Sequence, residues 1–147
     1  MKQITGLNLL LILLLTISGI GITGCRGSST HEVAMATMDG MPTNVHAAPV
    51  RVQEAYQYAV ANPDILQHIP CYCGCGAMGH TSNYSCYVAE ANVDGVITYD
   101  EHALDCGICV DISQDAMRMQ AEGKSVEEIF HLIDNNYARF GPPTPLE

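Results

Sequence analysis

Apolar residues recur at helical spacing in two stretches of this chain, and a cysteine-rich stretch lies between them. After Pro49, apolar residues spaced three and four positions apart predict one face of a helix: Val52, Ala55, Tyr56 and Ala59. Asn62-Pro63 interrupts this helix, and residues 64–69 predict a short second helical segment that ends at Pro70. A folded domain is therefore predicted to begin with helices.

The last third of the chain predicts two longer helices. The first has a face of Ile108, Ile112, Ala116 and Met119, and Gly123 follows it where glycine commonly ends a helix. Ser125 and Glu128 form a capping-box pattern that begins the next helix. The inner face of that helix is predicted to contain Ile129, Leu132, Ile133 and Tyr137.

The stretch between the helices contains a hairpin signal. Asp94-Gly95 lies between two short β-favouring segments, and this dipeptide is typical of a tight hairpin turn. The predicted fold class is therefore mainly α, a small Cys-rich helical bundle with a short β-hairpin. We expect this bundle to follow a signal peptide and a flexible tether.

The start of the chain is typical of an exported lipoprotein. Lys2 precedes an uncharged, largely apolar run over residues 7–15, which is too short to span a bilayer comfortably. Gly24-Cys25 resembles the end of a bacterial lipobox, which implies that Cys25 carries a diacylglycerol; an ordinary secretory signal is the alternative. We expect a signal peptide over residues 1–24, a lipidated tether over 25–48, a domain over 49–141 and a tail over 142–147. The domain is then anchored at the extracytoplasmic face of the cell membrane.

The part of the chain after Cys25 is strongly acidic. All 16 acidic residues lie there, whereas one of the six Lys and Arg residues, Lys2, precedes it. Because binding to phosphates needs basic residues, no nucleic-acid partner is expected. An acidic surface favours cations and solubility.

The predicted tether contains a methionine repeat. Met35, Met38 and Met41 recur at every third position, and His31 and His46 flank them. Thioether sulfur is a soft ligand that selects Cu(I), so the repeat indicates copper. The alternative is a chance occurrence of methionine in a flexible spacer.

Six cysteines in the predicted domain form the densest chemical feature of the sequence. Three lie within residues 71–75, where an extended backbone directs alternate side chains to one side. Gly74 and Gly76 allow the backbone to fold tightly around a bound ion. A CxxC pair lies at the start of a helix, where the helix dipole lowers a thiol pKa. The candidate metal ligands are Cys71, Cys73, Cys75, Cys86, Cys106 and Cys109, with His80 and His102 as further candidates.

These motifs resemble a known family. The sequence Pro70-Cys71-Tyr72-Cys73-Gly74-Cys75 is similar to the motif of the PCYCGC lipoproteins of bacteria. The resemblance extends over about residues 52–137 and includes His80 and its neighbours, Cys86, His102 and the CxxC pair. It implies an exported protein with thiol-based metal binding and gives no defined activity.

A second resemblance is confined to residues 106–141. The CxxC pair, its helix, Gly123-Lys124-Ser125 and Phe140-Gly141 resemble the thiol-redox subunit of the cytochrome c maturation machinery, a three-helix bundle. The chain lacks that subunit's Leu-Arg before the first cysteine and its Gln after the second, and it carries four further domain cysteines. This resemblance therefore supports a helical bundle with a CxxC pair more than it supports that activity.

Residues 90–101 nearly fit an EF-hand calcium loop. Oxygen-bearing side chains occur at most of the required positions and Gly95 is sixth, but Glu90 stands where aspartate is needed. Thr98-Tyr99 also favours a strand. We therefore expect a solvent-exposed hairpin rather than a Ca²⁺ site.

Three functions are consistent with these residues. The favoured one is a membrane-anchored lipoprotein whose clustered cysteines bind a soft metal ion, copper before zinc, for delivery or sequestration. Its expected partners are the membrane, through the lipid, and an extracytoplasmic metalloprotein or thiol-redox protein. The alternatives are a thiol–disulfide oxidoreductase that uses Cys106 and Cys109, and a binding module stapled by disulfides. The sequence contains no hydrolytic or phosphate-binding motif, so no enzyme is predicted.

Overall fold

The computed structural model describes residues 31–146, so the predicted signal peptide and Cys25 lie outside the described residues. This part of the chain forms six α-helices, two 3₁₀ helices and one two-stranded hairpin. The helices are α1 Thr43–Ala47, α2 Val50–Ala61, α3 Pro63–Leu66, α4 His102–Asp105, α5 Gly107–Ala121 and α6 Val126–Tyr137. The 3₁₀ helices are Cys75–Met78 and Tyr84–Cys86, and the strands are β1 Val88–Ala91 and β2 Ile97–Tyr99. The mainly α fold with one hairpin is thus confirmed.

Helix α5 lies at the centre of the bundle and packs against α2, α4 and α6. The predicted apolar face of α2 is buried, as are Ile112, Ala116 and Met119 of α5. In α6, Ile129, Ile133 and Tyr137 are buried as predicted. The prediction for Leu132 is wrong, since 39 % of this residue is exposed. The main packing partner of α6 is α5, and the residues that α6 buries are Ile129, Ile133 and Tyr137, without Leu132.

The ends of α5 and α6 follow the predicted capping patterns. Gly123 has φ +80°, a left-handed conformation that glycine adopts without the steric cost of a Cβ atom. The Ser125 hydroxyl accepts a hydrogen bond from the Glu128 amide, and the Glu128 carboxylate accepts one from the Ser125 amide. This reciprocal pair supplies acceptors to amides at the start of α6 that have no partner within the helix.

The hairpin forms where Asp94-Gly95 predicts it. Strands β1 and β2 are antiparallel, with Val88 opposite Tyr99 and Ala91 opposite Ile97. The Asn92 side chain accepts hydrogen bonds from the Asp94 and Val96 amides, so it stabilises the turn with its own carbonyl oxygen. The hairpin that the sequence favours over a calcium loop is therefore the observed structure.

Residues 31–48 lie against the bundle, although their composition predicts a flexible tether. Met41 and Val45 are buried, and α1 packs against α2. The Gln57 side chain donates to the Ala36 carbonyl, and the Gln57 carbonyl accepts from the Ala36 amide. The Asn62 side chain likewise donates to the Ala34 carbonyl. A polar side chain of α2 and that of its C-cap residue Asn62 thus order this segment through its backbone. The composition of the segment alone does not indicate this.

Tyrosine supplies much of the core in a chain that has no tryptophan and two phenylalanines. Four tyrosines are fully buried: Tyr56, Tyr58, Tyr72 and Tyr87. Three of these hydroxyls donate hydrogen bonds inside the fold. The Tyr56 hydroxyl donates to the Asp100 carbonyl, the Tyr72 hydroxyl to the Asp134 carboxylate, and the Tyr87 hydroxyl to the Cys109 carbonyl. These three rings therefore contribute apolar area while their polar atoms are satisfied, whereas the Tyr58 hydroxyl is buried without a hydrogen-bond partner within the described residues.

The C-terminal tail is ordered beside the cysteine-rich loop, although its prolines predict a frayed end. The Thr144 hydroxyl accepts a hydrogen bond of 3.0 Å from the Cys71 amide, and the Thr144 amide donates to the Cys71 carbonyl at 2.9 Å. A Cβ atom on Gly141 would lie 2.9 Å from the Tyr72 carbonyl oxygen, so the two segments approach closely only because residue 141 is glycine. The tail therefore holds the start of the loop in place.

Replacing Thr144 with valine tests this contact, because Thr144→Val keeps the shape of the side chain and removes its hydrogen-bond acceptor. We expect the free energy of unfolding to fall by about 1–3 kcal/mol, since the buried Cys71 amide loses its partner. Chemical denaturation of the reduced, metal-free protein measures this change. In the matched control, Thr98→Val at the exposed position of β2, a change within about 0.5 kcal/mol is expected. Equal stability of the two variants would contradict an ordered tail.

Candidate metal centre

All six cysteines of the described chain gather around one sulfur at the start of α5. The Cys109 Sγ lies 3.2 Å from Cys106, 3.3 Å from Cys71, 3.3 Å from Cys86 and 3.6 Å from Cys73. Cys75 is 3.7 Å from Cys86, which connects it to the same group. We call these six residues, together with His80 and His102, the thiol cluster.

The loop that contains the first three cysteines reaches this geometry by a route that differs from the predicted one. Cys71 and Cys73 lie in an irregular segment, but Cys75 begins a 3₁₀ helix. Gly74 immediately before it has φ +87°, which favours glycine and reverses the chain direction. The prediction of an extended backbone is therefore wrong at Cys75, yet the three sulfurs converge as expected.

The other three cysteines are placed by short helical elements. Cys86 ends a 3₁₀ helix, Cys106 is the N-cap residue of α5, and Cys109 lies in the first turn of α5. The CxxC pair therefore lies at a helix start, as the sequence predicts. Of the six cysteines, Cys73 and Cys106 are half-buried and the remaining four are buried.

A buried polar network fixes the backbone of Cys109. Its carbonyl accepts hydrogen bonds from the Tyr87 hydroxyl at 2.9 Å and from the Asn83 side chain at 3.2 Å. The Ser113 hydroxyl contacts both partners, at 2.7 Å from the Asn83 side-chain oxygen and 2.8 Å from the Tyr87 hydroxyl. Buried polar groups that satisfy one another in this way select one arrangement of the surrounding chain. The central sulfur of the thiol cluster is thus rigidly positioned.

Both candidate histidines lie within the thiol cluster. The Cys73 Sγ is 3.4 Å from His102 Nε2, and the two imidazole rings pack edge to face with centroids 5.1 Å apart. Three overlapping groups of four donors have all ligand atoms within 4.8 Å of one another. These quartets are Cys71/Cys73/Cys75/Cys109, Cys73/Cys106/Cys109/His102 and Cys75/Cys86/His80/His102. All eight residues predicted as ligands are therefore brought together.

Asp100 orients the histidine side of the cluster. One carboxylate oxygen lies 3.4 Å from His80 Nε2, and the other accepts a hydrogen bond of 2.8 Å from the His102 amide. The remaining ring nitrogen of His80, Nδ1, is buried without a hydrogen-bond partner within the described chain. A histidine whose one nitrogen faces a carboxylate and whose other nitrogen is free has the arrangement of a metal-ligating histidine. Sequence reasoning missed Asp100, because no spacing relates it to the cysteines.

Close packing gives the thiols different acidities. The Cys109 thiol, as hydrogen-bond donor, lowers the pKa of Cys106 to about 5 and also lowers the pKa values of Cys71 and Cys75. The contact of Cys109 with Cys106, followed by its contacts with Cys71 and Cys75, raises the pKa of Cys109 itself. Burial raises the pKa of Cys73, and the neighbouring Cys71 raises it further. Thiols and thiolates therefore coexist in the metal-free cluster, because adjacent anions repel each other.

The basic side chains of the described chain are engaged elsewhere. Arg51 pairs with Asp111, Arg118 with Asp115 and Glu122, and Lys124 with Glu122. Arg139 lies over the Phe140 ring. Within residues 31–146, no arginine or lysine forms a hydrogen bond with a cysteine sulfur, so thiolate charge is left for bound cations to compensate.

The methionine repeat does not join this cluster as a unit. Met41 is buried in the hydrophobic core, Met38 packs beside the core, and 39 % of Met35 is exposed. The flanking His31 and His46 are both exposed. The three thioethers therefore occupy different environments, and the copper prediction depends on the thiols alone.

The spacing of the sulfurs suits ions bound between them. Thiolates at about 2.3 Å from a tetrahedral ion lie roughly 3.8 Å apart. The observed contacts of 3.2–3.7 Å are a few tenths of an ångström shorter, so a small expansion admits an ion. All six cysteines within residues 31–146 are free thiols, and the disulfide-stapled alternative thus gains no support there.

Thiol alkylation tests the predicted acidities, because Cys73 and Cys106 are similarly half-buried and their pKa values shift in opposite directions. Neutral pH lies above the lowered pKa of Cys106, so this side chain is a thiolate there, whereas the raised pKa of Cys73 keeps that thiol protonated. We expect iodoacetamide to modify Cys106 well before Cys73 in the reduced, metal-free protein, because the thiolate is the nucleophile. Mass spectrometry of quenched samples locates the adducts. Equal rates at Cys73 and Cys106 near neutral pH would contradict this assignment.

Comparison with known proteins identifies the family of this chain. A family model described as a protein of unknown function with PCYCGC motif matches residues 21–147, which is most of the chain. No curated protein and no solved structure matches. Residues 70–75 carry the motif, and three of its cysteines form part of the thiol cluster. The chain therefore belongs to the PCYCGC-motif family, whose function is unknown.

Proposed function

We propose that this protein binds a soft metal ion through the thiol cluster, with Cu(I) as its principal ligand and Zn²⁺ as the nearest competitor. The observation that carries the proposal is the contact of Cys109 Sγ with four other sulfurs. Three of these four sulfurs come from other elements of the fold, and they are buried or half-buried. So many thiols in van der Waals contact, without a protein cation, favour occupation by a cation.

The donor set favours copper over zinc. Six of the eight donors are cysteine sulfurs, and soft thiolate ligands select Cu(I). Structural zinc sites have four tetrahedral ligands, and the compositions of the three quartets, Cys₄, Cys₃His and Cys₂His₂, all occur among them. Zinc is therefore the nearest competitor, and the excess of thiolate sulfur over nitrogen is what favours Cu(I).

We further propose that the domain works outside the cytoplasm, attached to the cell membrane. This is supported by the apolar run over residues 7–15 and the lipobox-like Gly24-Cys25, a pattern from which we expect a diacylglycerol on Cys25. An anchored metal-binding domain serves metal delivery to, or sequestration from, an extracytoplasmic metalloprotein. Nucleic acid is not proposed as a partner.

Metal analysis of the full chain tests the proposal. The protein is purified anaerobically in detergent, reduced, and loaded with Cu(I) in the presence of excess Zn²⁺. We expect copper to be retained after desalting and zinc to be largely excluded, because thiolates bind the softer ion more strongly. Elemental mass spectrometry measures both metals. His131→Gln on exposed α6 should not change the copper content, whereas replacing Cys71 and Cys73 with serine should reduce it.

The thiol–disulfide oxidoreductase is the second candidate, and the lowered pKa of the half-buried Cys106 favours it. In that function Cys106 attacks a partner disulfide and Cys109 resolves the mixed disulfide. The result that would contradict metal binding is therefore specific. It is a chain that retains neither metal and whose Cys109→Ser variant is isolated as a mixed disulfide with another protein.

Substitution of Asp100 tests the histidine side of the site. Asp100→Asn keeps the size of the side chain and removes the negative charge beside His80 Nε2. We expect the affinity for Cu(I) to fall roughly 10- to 100-fold, the usual effect of losing an outer carboxylate that orients a ligating histidine. Competition with a chromophoric Cu(I) chelator measures this change. Asp94→Asn in the hairpin turn is the matched control, and an equal affinity in both variants would show that His80 does not bind the metal.

A further inference from the structure

We propose that the thiol cluster binds several Cu(I) ions at once as a single thiolate-bridged cluster, with Cys109 as the central bridging ligand. This inference rests on the proposed function and extends it from one ion to a polynuclear centre. In this inference the sulfurs have different roles: Cys109 is shared among ions, whereas Cys106 is a ligand at the edge of the cluster.

The number of donors exceeds what one ion uses. A tetrahedral ion takes four ligands, whereas eight donors converge in three quartets. A single ion in the quartet Cys71/Cys73/Cys75/Cys109 would leave Cys86 and His80, both buried, without a ligand role. Such an arrangement would also leave His80 Nδ1 without a hydrogen-bond partner. Occupation of more than one quartet uses these groups.

The quartets overlap, so simultaneous occupation requires shared ligands. Cys73 and Cys109 belong to two quartets, Cys75 belongs to another two, and His102 is also in two. An imidazole nitrogen has one lone pair and serves one ion, whereas a thiolate sulfur has several and can bridge ions. The shared positions are mainly cysteines, which is the composition that a bridged cluster needs.

The charge of the six thiols favours several monovalent ions over a single divalent ion. Six thiolates around one Zn²⁺ would leave a large negative charge in a partly buried site, with no arginine or lysine of the described chain beside the sulfurs. Uncompensated buried charge is costly, so unused thiols would keep their protons. Each Cu(I) that replaces one thiol proton leaves the net charge of the cluster unchanged. Several Cu(I) ions can therefore enter one after another without an increase in buried charge.

The central position of Cys109 follows from its contacts. Its Sγ lies within 3.6 Å of four other sulfurs, whereas Cys106 Sγ lies beside Cys109 at 3.2 Å and shares a quartet with one further cysteine, Cys73. Backbone restraint from Asn83 and Tyr87 holds this sulfur in the middle of the group. Cys109 and Cys106 lie in the same turn of the structure, so they form a matched pair of a central and a peripheral ligand.

The test is a Cu(I) titration of the reduced full chain in detergent under anaerobic conditions. Cu(I) is supplied as its acetonitrile complex against a chromophoric chelator, and native mass spectrometry counts the ions per chain. We expect two or more ions to bind cooperatively, and X-ray absorption of the loaded protein to contain copper–copper scattering. Cys106→Ser should lose at most one ion, and Cys109→Ser should lose two or more together with the cooperativity.

The outcomes separate this inference from the proposed function. One tightly bound copper ion without copper–copper scattering would overturn the bridged cluster and leave metal binding intact. No retained copper would overturn both. If circular dichroism shows that the Cys109→Ser variant is unfolded, the number of ions bound by the unmodified chain and its copper–copper scattering still decide whether a bridged cluster forms. Equal losses in folded Cys109→Ser and Cys106→Ser would show that Cys109 is not the bridge.

Discussion

The crowding of buried sulfur around Cys109 is the constraint on which the rest of this structure depends. Thiols placed 3.2–3.7 Å apart cannot all ionise, because each thiolate raises the energy of the next. Described basic residues pair with carboxylates or an aromatic ring elsewhere, so they do not relieve this repulsion. The site is therefore stable either as a mixture of thiols and thiolates or as a metal-bound cluster.

The fold separates the framework from the ligands. Helices α2, α5 and α6 form the apolar core, while five of the six cysteines lie in loops, in 3₁₀ helices or at the N-cap of α5. Loops of this kind need external support, which comes from hydrogen bonds across the fold. Thr144 holds the backbone of Cys71. The backbone of Cys109 is held by Asn83 and Tyr87, and the histidine side is held by Asp100. The precision of the site is thus produced by polar contacts that surround it.

Local rules predict the helices, caps and hairpin because each depends on residues close in sequence. Gly123, the Ser125–Glu128 box and Asp94-Gly95 adopt the expected structures. The cysteines were identifiable as candidate ligands by residue type, and the structure brings all six together. Residues 31–48 and the tail were not predictable as ordered segments, since contacts with residues distant in sequence hold them: long-range hydrogen bonds in both segments, and buried Met41 and Val45 in the first. Asp100 was missed for the same reason.

For the proposed metal binding, exposure within the cluster would define the order in which ions reach its ligands. Cys73, Cys106 and His102 are half-buried and, with buried Cys109, form one quartet, so an ion from solvent meets this quartet first. The ligands behind it, Cys71, Cys75, Cys86 and His80, are buried. Because Cys73, Cys109 and His102 also belong to the deeper quartets, an ion can exchange ligands inward without passing through water. The overlap on which the proposed bridging depends would therefore also give a path between the surface and the buried end of the site.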